Sequence, residues 1–373
     1  MLQKVGSPCQ RATLHTWTHE LQITYDRRTP RADAGPLPPR NPRLMFDQIR
    51  SRLLIGVLAG VVVMAAMVLV FDAGNLADAL RNFDWRLLPL ILGLTVINYV
   101  LRFVKWQYFL RVLDIRSLTR WDSAQIFLAG FTMALTPGKV GEYLKAYLVR
   151  VRTGVPMART APVIFAERLS DGFALLILAS FGLLVFRQGW QIMVAGTILM
   201  ALVVVLIQRE ELVHSLLRWL EGTRIGARVH LLEQLYDSAH ELLRPRPLLV
   251  AVSLGVASWL GECLAFVLVL VGLGIDPSWS LVTAGIFVFA SATWIGGASM
   301  LPGGLGAAEL TVAGLLLLTI DDPAMTPGLA GAATLLIRFA TLWFGILIGS
   351  IGLVRISRWR DAPSAVETVS EAS

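Results

Sequence analysis

Charged side chains lie inside the apolar stretches of this 373-residue chain. An ionisable group within a membrane-spanning helix costs at least about 2.5–3.5 kcal/mol on insertion scales, so each one needs a partner or a function. One interpretation is purely structural: the groups pair with one another, for example Glu262 with Arg338 or Glu167 with Arg168. They cluster along the sequence as Lys139, Glu142 and Lys145, then Glu167, Arg168 and Asp171, then Glu262, Glu309 and Arg338.

Two Pro-Gly-x-x-Gly turns interrupt apolar stretches beside these charges. One begins at Pro137 and the other at Pro302, and a glutamate, Glu142 or Glu309, follows each turn. Unwound backbone at membrane depth survives only where it lines a cavity, and paired breaks in two halves of a chain indicate a midplane binding site. The two turns therefore predict a substrate site between the halves.

An anionic head group is the ligand that these residue types favour. A helix that begins after a Pro-Gly break offers unpaired N–H groups and a positive dipole end, and neighbouring cations supply counter-charge. Glycines let backbone approach a ligand closely. Glu142 and Glu309 have three open roles: orienting the cations, binding a polar head group, or carrying a coupling proton. The predicted lipid head-group site comprises Pro137, Gly138, Lys139, Gly141, Glu142, Lys145, Arg168, Pro302, Gly303, Gly304, Gly306 and Glu309, with Arg102, Glu167, Asp171, Glu262 and Arg338 as supporting charges.

Composition places the chain in a membrane. It is 55% hydrophobic and 16% charged with a mean hydropathy of +0.64, whereas soluble proteins are about 45–50% apolar. The formal charge of +7 comes from Lys and Arg between apolar blocks, which positive-inside bias explains, so we expect no nucleic-acid partner. No acidic pair has metal-ligand spacing, and we predict neither metal nor cofactor.

The fold expected from these patterns is all-α and polytopic, with about six full spans and two re-entrant Pro-Gly hairpins. Loop charges put both termini in the cytoplasm and give the hairpins opposite orientations, which makes an inverted repeat with its broken tips meeting near the middle. The alternative that both hairpins cross the membrane fully stays open. Each hairpin would then add two crossings, so the charged loops on either side of it would stay on the same side of the membrane. The six spans are predicted near residues 53–71, 87–104, 162–186, 190–207, 248–274 and 328–354.

Three segments are expected in the chain. Residues 1–43 form a polar, Pro-rich disordered tail upstream of a natural start at Met45, and residues 357–373 form a second disordered tail. Residues 44–356 form the transmembrane domain, within which 208–247 is a cytoplasmic amphipathic connector. The group Arg102, Lys105 and Trp106 is interpreted first as an interfacial anchor at the cytoplasmic end of the second span, with capture of a lipid head group as the alternative.

In these motifs the chain resembles the lysylphosphatidylglycerol synthase transmembrane-region, or flippase-like, membrane proteins, over about residues 48 to 355. In bifunctional members this region is the lipid-translocating half, and a separate soluble domain transfers lysine onto phosphatidylglycerol. Only a short polar tail follows the last span here, so the resemblance implies translocation without aminoacyl transfer. The matching elements are Arg102 with Trp106, Leu135 to Glu142 with Lys145, Glu167 to Asp171, and Leu301 to Gly306 with Glu309.

The expected function is non-enzymatic translocation of an anionic or glycosylated lipid, such as a phospholipid, a polyprenyl-phosphate-linked lipid or a hopanoid lipid, by a multi-pass protein of the cell inner (plasma) membrane. Membrane lipids are its expected partners, and a homo-oligomer or a separate lipid-modifying enzyme is left open. Two alternatives remain. One is an intramembrane transferase on a lipid-phosphate donor, with Glu142, Asp171 or Glu309 as base. The other is an accessory scaffold of cell-envelope lipid biogenesis.

Overall fold

The computed structural model describes residues 58, 60–63, 65, 73–136, 141–183, 190–221 and 229–357. These residues form helices and, within those ranges, no strand, which confirms the predicted all-α class. Most of the predicted span at 53–71, the tail at 1–43 and nearly all of the tail at 357–373 lie outside the described residues. The α-helices are α1 (Ala73–Asn82), α2 (Leu88–Val112), α3 (Arg120–Thr132), α4 (Leu144–Thr153), α5 (Met157–Leu183), α6 (Trp190–Gln208), α7 (Glu210–Glu221), α8 (Val229–Leu242), α9 (Pro245–Gly272), α10 (Trp279–Ala298), α11 (Ala307–Thr319), α12 (Pro327–Arg338) and α13 (Phe344–Ser357).

Six helical runs in the described part of the chain are long and apolar enough to cross a membrane. Four of them contain most or all of a predicted span: α2 with the 3-10 turn before it, α6, α9, and the run Pro327–Ile356. The other two are the arms of the second hairpin. The predicted span at 162–186 falls largely on α5, a 27-residue helix that carries Glu167, Arg168 and Asp171.

The two Pro-Gly hairpins differ in the length of their arms. In the first, α3 has 13 residues and α4 has 10, well short of the roughly 20 residues that a full crossing requires. In the second, α10 has 20 residues and the run Pro302–Thr319 has 18. Re-entry of the hairpins, their relative orientation and the side on which the termini lie stay predictions.

Each hairpin packs against a helix from the other half of the chain. Helix α2, which precedes the first hairpin, packs along α9, which precedes the second. Helix α3 of the first hairpin packs on α13 of the second half, and α10 of the second hairpin packs on α5 of the first half. Equivalent helices thus make equivalent contacts, as expected of a structural repeat.

The two hairpins also contact each other near their Pro-Gly turns. The 3-10 turn Met133–Leu135 contacts the 3-10 turn Pro302–Gly304. Leu135, Leu305 and Ile346 form a small apolar core at this contact. The residues just before the first break therefore contact the second break, whereas Pro137 itself lies outside the described residues.

Small residues allow the close contact between α3 and α13. A Cβ added to Gly349 would lie 2.8 Å from the Leu128 carbonyl oxygen, and one added to Gly352 would lie 3.0 Å from the Leu128 Cβ. Such spacing is typical of helices that associate through van der Waals packing in a bilayer. The glycines of α13 therefore hold the first hairpin against the second half.

The connector between the halves contains two helices, α7 and α8. Helix α8 packs on α5. Helix α7 buries Leu217 but exposes Leu212, Leu216 and Trp219. An apolar side left outward on a short helix suits a position at the membrane surface.

Candidate functional site

A cavity of about 140 Å³ lies between the two halves of the chain. Its walls come from α2, α3 and the turn after it, α9, α10, α11, and the run from α12 to α13. Both hairpins therefore contribute, as do the helices that precede and follow them. The side chains that give it chemical character are Tyr99, Arg102, Phe131, Trp259, Glu262, Phe289 and Arg338.

Arg102 enters this cavity from α2 and is held loosely by its acidic partner. Its Nη2 lies 3.9 Å from Asp171 Oδ2, beyond ordinary hydrogen-bond distance. The guanidinium also lies 5.6 Å from the Phe131 ring centroid and 5.5 Å from that of Trp259. Aromatic faces attract a cation without neutralising it, so Arg102 keeps much of its capacity to bind an anion.

A glutamate behind each Pro-Gly turn bonds to an arginine on the helix after the hairpin. Arg168 Nε donates to Glu142 Oε2 at 2.8 Å, and Arg338 Nε donates to Glu309 Oε1 at 2.6 Å. Both carboxylates are buried. The two ion pairs occupy equivalent places in the two halves. The alternative pairings suggested by the sequence, Glu262 with Arg338 and Glu167 with Arg168, are not formed.

Two buried lysines complete the first half of the network. Lys145 pairs with Glu167, and its Nζ lies 4.6 Å from the Trp106 ring centroid. Gly130 makes room for this lysine, because a Cβ there would lie 2.9 Å from its Cδ. Lys105 pairs with Asp171, which also lies within 4.0 Å of an Arg168 nitrogen.

The interpretation of Arg102, Lys105 and Trp106 as an interfacial anchor is wrong. Lys105 is 1% exposed and Trp106 is fully buried. The reason is that this face of α2 turns toward α9 and α5 rather than toward lipid and water. Trp106 Nε1 donates to Ser123 Oγ at 3.0 Å, which ties α2 to the first hairpin.

The first turn is described only at its edges, since Pro137, Gly138 and Lys139 lie outside the described residues. The Gly141 N–H donates to Thr136 Oγ1 at 2.9 Å, and the Thr136 hydroxyl donates to the Met133 carbonyl at 2.6 Å. A Cβ on Gly141 would lie 2.6 Å from Thr136 Oγ1. A side chain at residue 141 would therefore collide with Thr136, directly before Glu142.

The second turn has backbone that favours glycine. Gly303, Gly304 and Gly306 have φ values of 59°, 67° and 84°, in the region that other L-residues avoid. Arg338 Nη2 donates to the carbonyls of Gly303 and Gly304 at 3.2 and 3.4 Å. The turn thus binds the same arginine as Glu309. Gly306 is the N-cap residue of α11, and since it has no side chain it makes no capping hydrogen bond. The first turn of this helix reaches the cavity wall at Ala308.

A π-helical turn follows Arg338. It spans Phe339–Trp343, and its Thr341 carbonyl accepts a 2.6 Å hydrogen bond from the Tyr99 hydroxyl. Such turns inside α-helices occur frequently at functional sites. Here the turn joins the second half to α2 at the cavity wall.

Glu262 is the exception among the buried acids of the described helices. It lies on α9, is 4% exposed and lines the cavity. Within the described residues it has no hydrogen bond and no ion pair. The indole Nε1 of Trp259, one turn earlier, is also buried without a partner there. Glu262 on α9 and Arg102 on α2 thus face one cavity from the two equivalent helices.

The structure separates the predicted site residues into two groups. Arg102, Glu262 and Arg338, predicted only as supporting charges, line the cavity itself. The remaining described charges form ion pairs around it: Glu142, Lys145, Glu167, Arg168, Asp171 and Glu309.

No site role was predicted for Tyr99 or Trp259, and for Lys105 capture of a lipid head group was only the second interpretation. A signal was available for α2, because Asn98, Arg102 and Lys105 follow the i, i+4, i+7 spacing of one helical face. A polar face on an otherwise apolar helix indicates a surface turned inward. Trp259 carries no such signal.

A bundle of apolar helices around a buried charge network defines a multi-pass integral membrane protein. Residues 53–349 match the family of the lysylphosphatidylglycerol synthase TM region, and the chain belongs to that family.

Three curated relatives show how far the similarity reaches. The chain is 25% identical over 325 residues to a UPF0104 membrane protein of Methanothermobacter thermautotrophicus, which covers 80% of this chain and 93% of the relative. A second UPF0104 membrane protein of the same organism is 26% identical, with coverage of 78% and 90%. The glycosyltransferase AglD of Haloferax volcanii is 25% identical over 122 residues, covering 33% of this chain and 20% of that protein.

Proposed function

We propose that the protein is a non-enzymatic translocase that carries an anionic or glycosylated lipid across the plasma membrane. The observation that carries this proposal is the cavity between the two hairpins, into which Arg102 and Arg338 project. Broken helices that meet at a shared cavity are the architecture by which secondary transporters expose one site alternately to either side.

The chemistry of the cavity favours a phosphate-bearing head group. Arg102 lies at 3.9 Å from its carboxylate, so a phosphate oxygen at hydrogen-bond distance would bind it more strongly. Arg338 offers a second guanidinium next to the uncapped start of α11, where N–H groups and the helix dipole favour negative charge.

The size of the cavity suits a head group rather than a whole lipid. Its volume of about 140 Å³ is close to that of an engineered protein cavity of about 150 Å³ that binds benzene. The hydrocarbon part of the lipid must therefore stay in the bilayer while the head group crosses. Phospholipids, polyprenyl phosphates and hopanoid lipids with polar heads all meet this requirement.

Among the residues that the structure describes, the contacts of the acids argue against the transferase alternative. The acids that would serve as base are bonded to cations: Glu142 to Arg168, Glu309 to Arg338, and Asp171 to Lys105. A carboxylate held in this way is a poor proton acceptor. A scaffold role would leave Arg102, which faces the cavity at 3.9 Å from its carboxylate, without a function, so we retain translocation.

Reconstitution into liposomes tests the proposal. A trace of phosphatidylglycerol or polyprenyl phosphate that carries a fluorescent label is added, and dithionite then bleaches the label in the outer leaflet. We expect the wild-type chain to make the inner label accessible as well, and Arg102→Met to lose at least 10-fold in rate.

The matched control is Arg116→Met, because Arg116 pairs with Asp114 outside the cavity and its side chain is 81% exposed. This variant should translocate as the wild type does. The proposal fails if wild-type protein leaves both labelled lipids on their original leaflet.

A further inference from the structure

We propose that Glu262 is the site of a coupling proton, taken up when an anionic phosphate group binds between Arg102 and Arg338. This inference rests on the proposed translocation and names the ion that would drive it. From the sequence, Glu262 was predicted only as a supporting charge. The role of carrying a coupling proton was suggested instead for Glu142 and Glu309.

The first step is that the other buried acids of the described network already have partners. Glu142 and Glu309 each accept a hydrogen bond from an arginine. Glu167 is bonded to Lys145, and Asp171 to Lys105. Protonation of any of these would break an ion pair and leave a buried cation uncompensated, which is strongly unfavourable. Protonation of Glu262 breaks no ion pair of the described residues.

The second step concerns the groups that face Glu262 from the surrounding helices. Helix α2 presents Tyr99 and Arg102, and α12 presents Arg338. Asp171 on α5 and Glu309 on α11 stand behind these arginines as their partners. Helix α10 has no ionisable residue. A proton on Glu262 is therefore controlled chiefly by two arginines, and by whatever anion binds to them.

The third step is charge balance. The described network has equal numbers of cations and acids when Glu262 is ionised. Protonation of its carboxylate to the acid leaves one positive charge in excess, and a bound phosphate monoanion restores neutrality. The five cations are Arg102, Lys105, Lys145, Arg168 and Arg338, and the five acids are Glu142, Glu167, Asp171, Glu262 and Glu309.

Binding of the proton and binding of the anion must then favour each other. With Glu262 ionised, its negative charge repels a phosphate that binds at the two arginines. With Glu262 protonated, that repulsion disappears and the acid O–H becomes a hydrogen-bond donor. By linkage, each ligand raises the affinity for the other by the same factor. An acidic compartment would thus load the site, and a less acidic one would empty it.

Proton uptake on lipid binding is the first measurement. Dioleoylphosphatidylglycerol is added to the detergent-solubilised chain in weakly buffered solution with a pH indicator dye. We expect uptake approaching one proton per protein molecule for the wild type, none for Glu262→Gln, and uptake with a displaced pH dependence for Glu262→Asp. Equal uptake by Glu262→Gln and the wild type overturns the proposal.

Two control arms identify the source of the effect. Inorganic phosphate added alone distinguishes free phosphate from a lipid head group: uptake with lipid only assigns the site to lipid, and uptake with both assigns it to phosphate in general. Glu210→Gln is the control variant, since Glu210 lies on α7 with a side chain 61% exposed. It should behave as the wild type.

Infrared difference spectroscopy makes the test independent of transport and of lipid binding. Between acidic and alkaline pH, the wild type should show a protonated-carboxyl C=O band that is absent in Glu262→Gln. A band that persists unchanged in this variant overturns the proposal, whether or not the protein moves lipid.

The liposome assay separates this inference from the proposed function. A pH gradient should accelerate translocation by the wild type at least 10-fold and leave Glu262→Gln unaffected. Translocation that responds equally in both proteins overturns the proton site and leaves the translocase standing. Proton uptake and a Glu262 band without translocation would reject the proposed function and retain the site.

Discussion

Removing Arg338 tests the ion pair that anchors the second turn. Its Nε lies 2.6 Å from Glu309 Oε1, the Glu309 side chain is 4% exposed, and the arginine also binds two turn carbonyls. Arg338→Met keeps much of the side-chain length and removes the charge. A buried carboxylate that loses its partner destabilises a protein by about 3–5 kcal/mol, so we expect a loss of that size.

Unfolding in mixed micelles, titrated with a denaturing detergent, measures this change in free energy. The double variant Glu309→Gln with Arg338→Met removes both charges, and it should recover more than half of the loss. The matched control is Arg116→Met at the exposed pair with Asp114, where a change within about 1 kcal/mol is expected. A loss below 1 kcal/mol for Arg338→Met, or no recovery in the double variant, would refute the assignment of this pair as a structural anchor.

Two further predictions concern close backbone contacts. Gly304→Ala should destabilise by about 1–2 kcal/mol, because φ is 67° and the new Cβ would lie 3.0 Å from the Gly296 carbonyl oxygen. Gly314→Ala is its control, since nothing lies within 4 Å of a Cβ there, and it should be neutral or stabilising by up to about 1 kcal/mol. Gly349→Leu should separate α13 from α3 and lower the thermal unfolding temperature in detergent, since a Cβ there would lie 2.8 Å from the Leu128 carbonyl oxygen. An unchanged unfolding temperature would contradict the α3–α13 contact.

Residue type and spacing were sufficient to predict several features of the fold. Long apolar windows identified α2, α6, α9 and the run from α12 to α13, because a bilayer of about 30 Å requires about 20 apolar residues per span. The two Pro-Gly breaks identified the hairpin tips, because proline and glycine are the residues that end a helix.

The pairing of the charges was beyond the sequence. Arg338 is 29 residues from Glu309 and 76 from Glu262, and neither separation places the two side chains on one face of a single helix, so the sequence does not select the partner. The structure pairs Arg338 with Glu309 because α12 packs against α11, and this leaves Glu262 on α9 facing the cavity. A buried acid without a partner is visible only once every neighbouring helix is in place.

The position of α2 shows the same limit. The group of Arg102, Lys105 and Trp106 at the end of an apolar span has the composition of an interfacial anchor, yet Lys105 and Trp106 are buried. In a membrane protein, the side of a helix that faces lipid and the side that faces the bundle interior can have similar hydropathy. The composition of this group therefore did not indicate which face of α2 is inside, although the spacing of Asn98, Arg102 and Lys105 on one helical face did.

By itself, the sequence determined that the chain is a helical membrane protein with two broken hairpins and costly charges beside them. These properties follow from hydropathy, helix-breaking residues and the expense of charge in hydrocarbon, which are local in the chain. Tertiary structure alone decided which charges neutralise one another and which face the central cavity. Those outcomes depend on distances of a few ångströms between helices that are far apart in sequence, because electrostatic and hydrogen-bond energies depend on these distances.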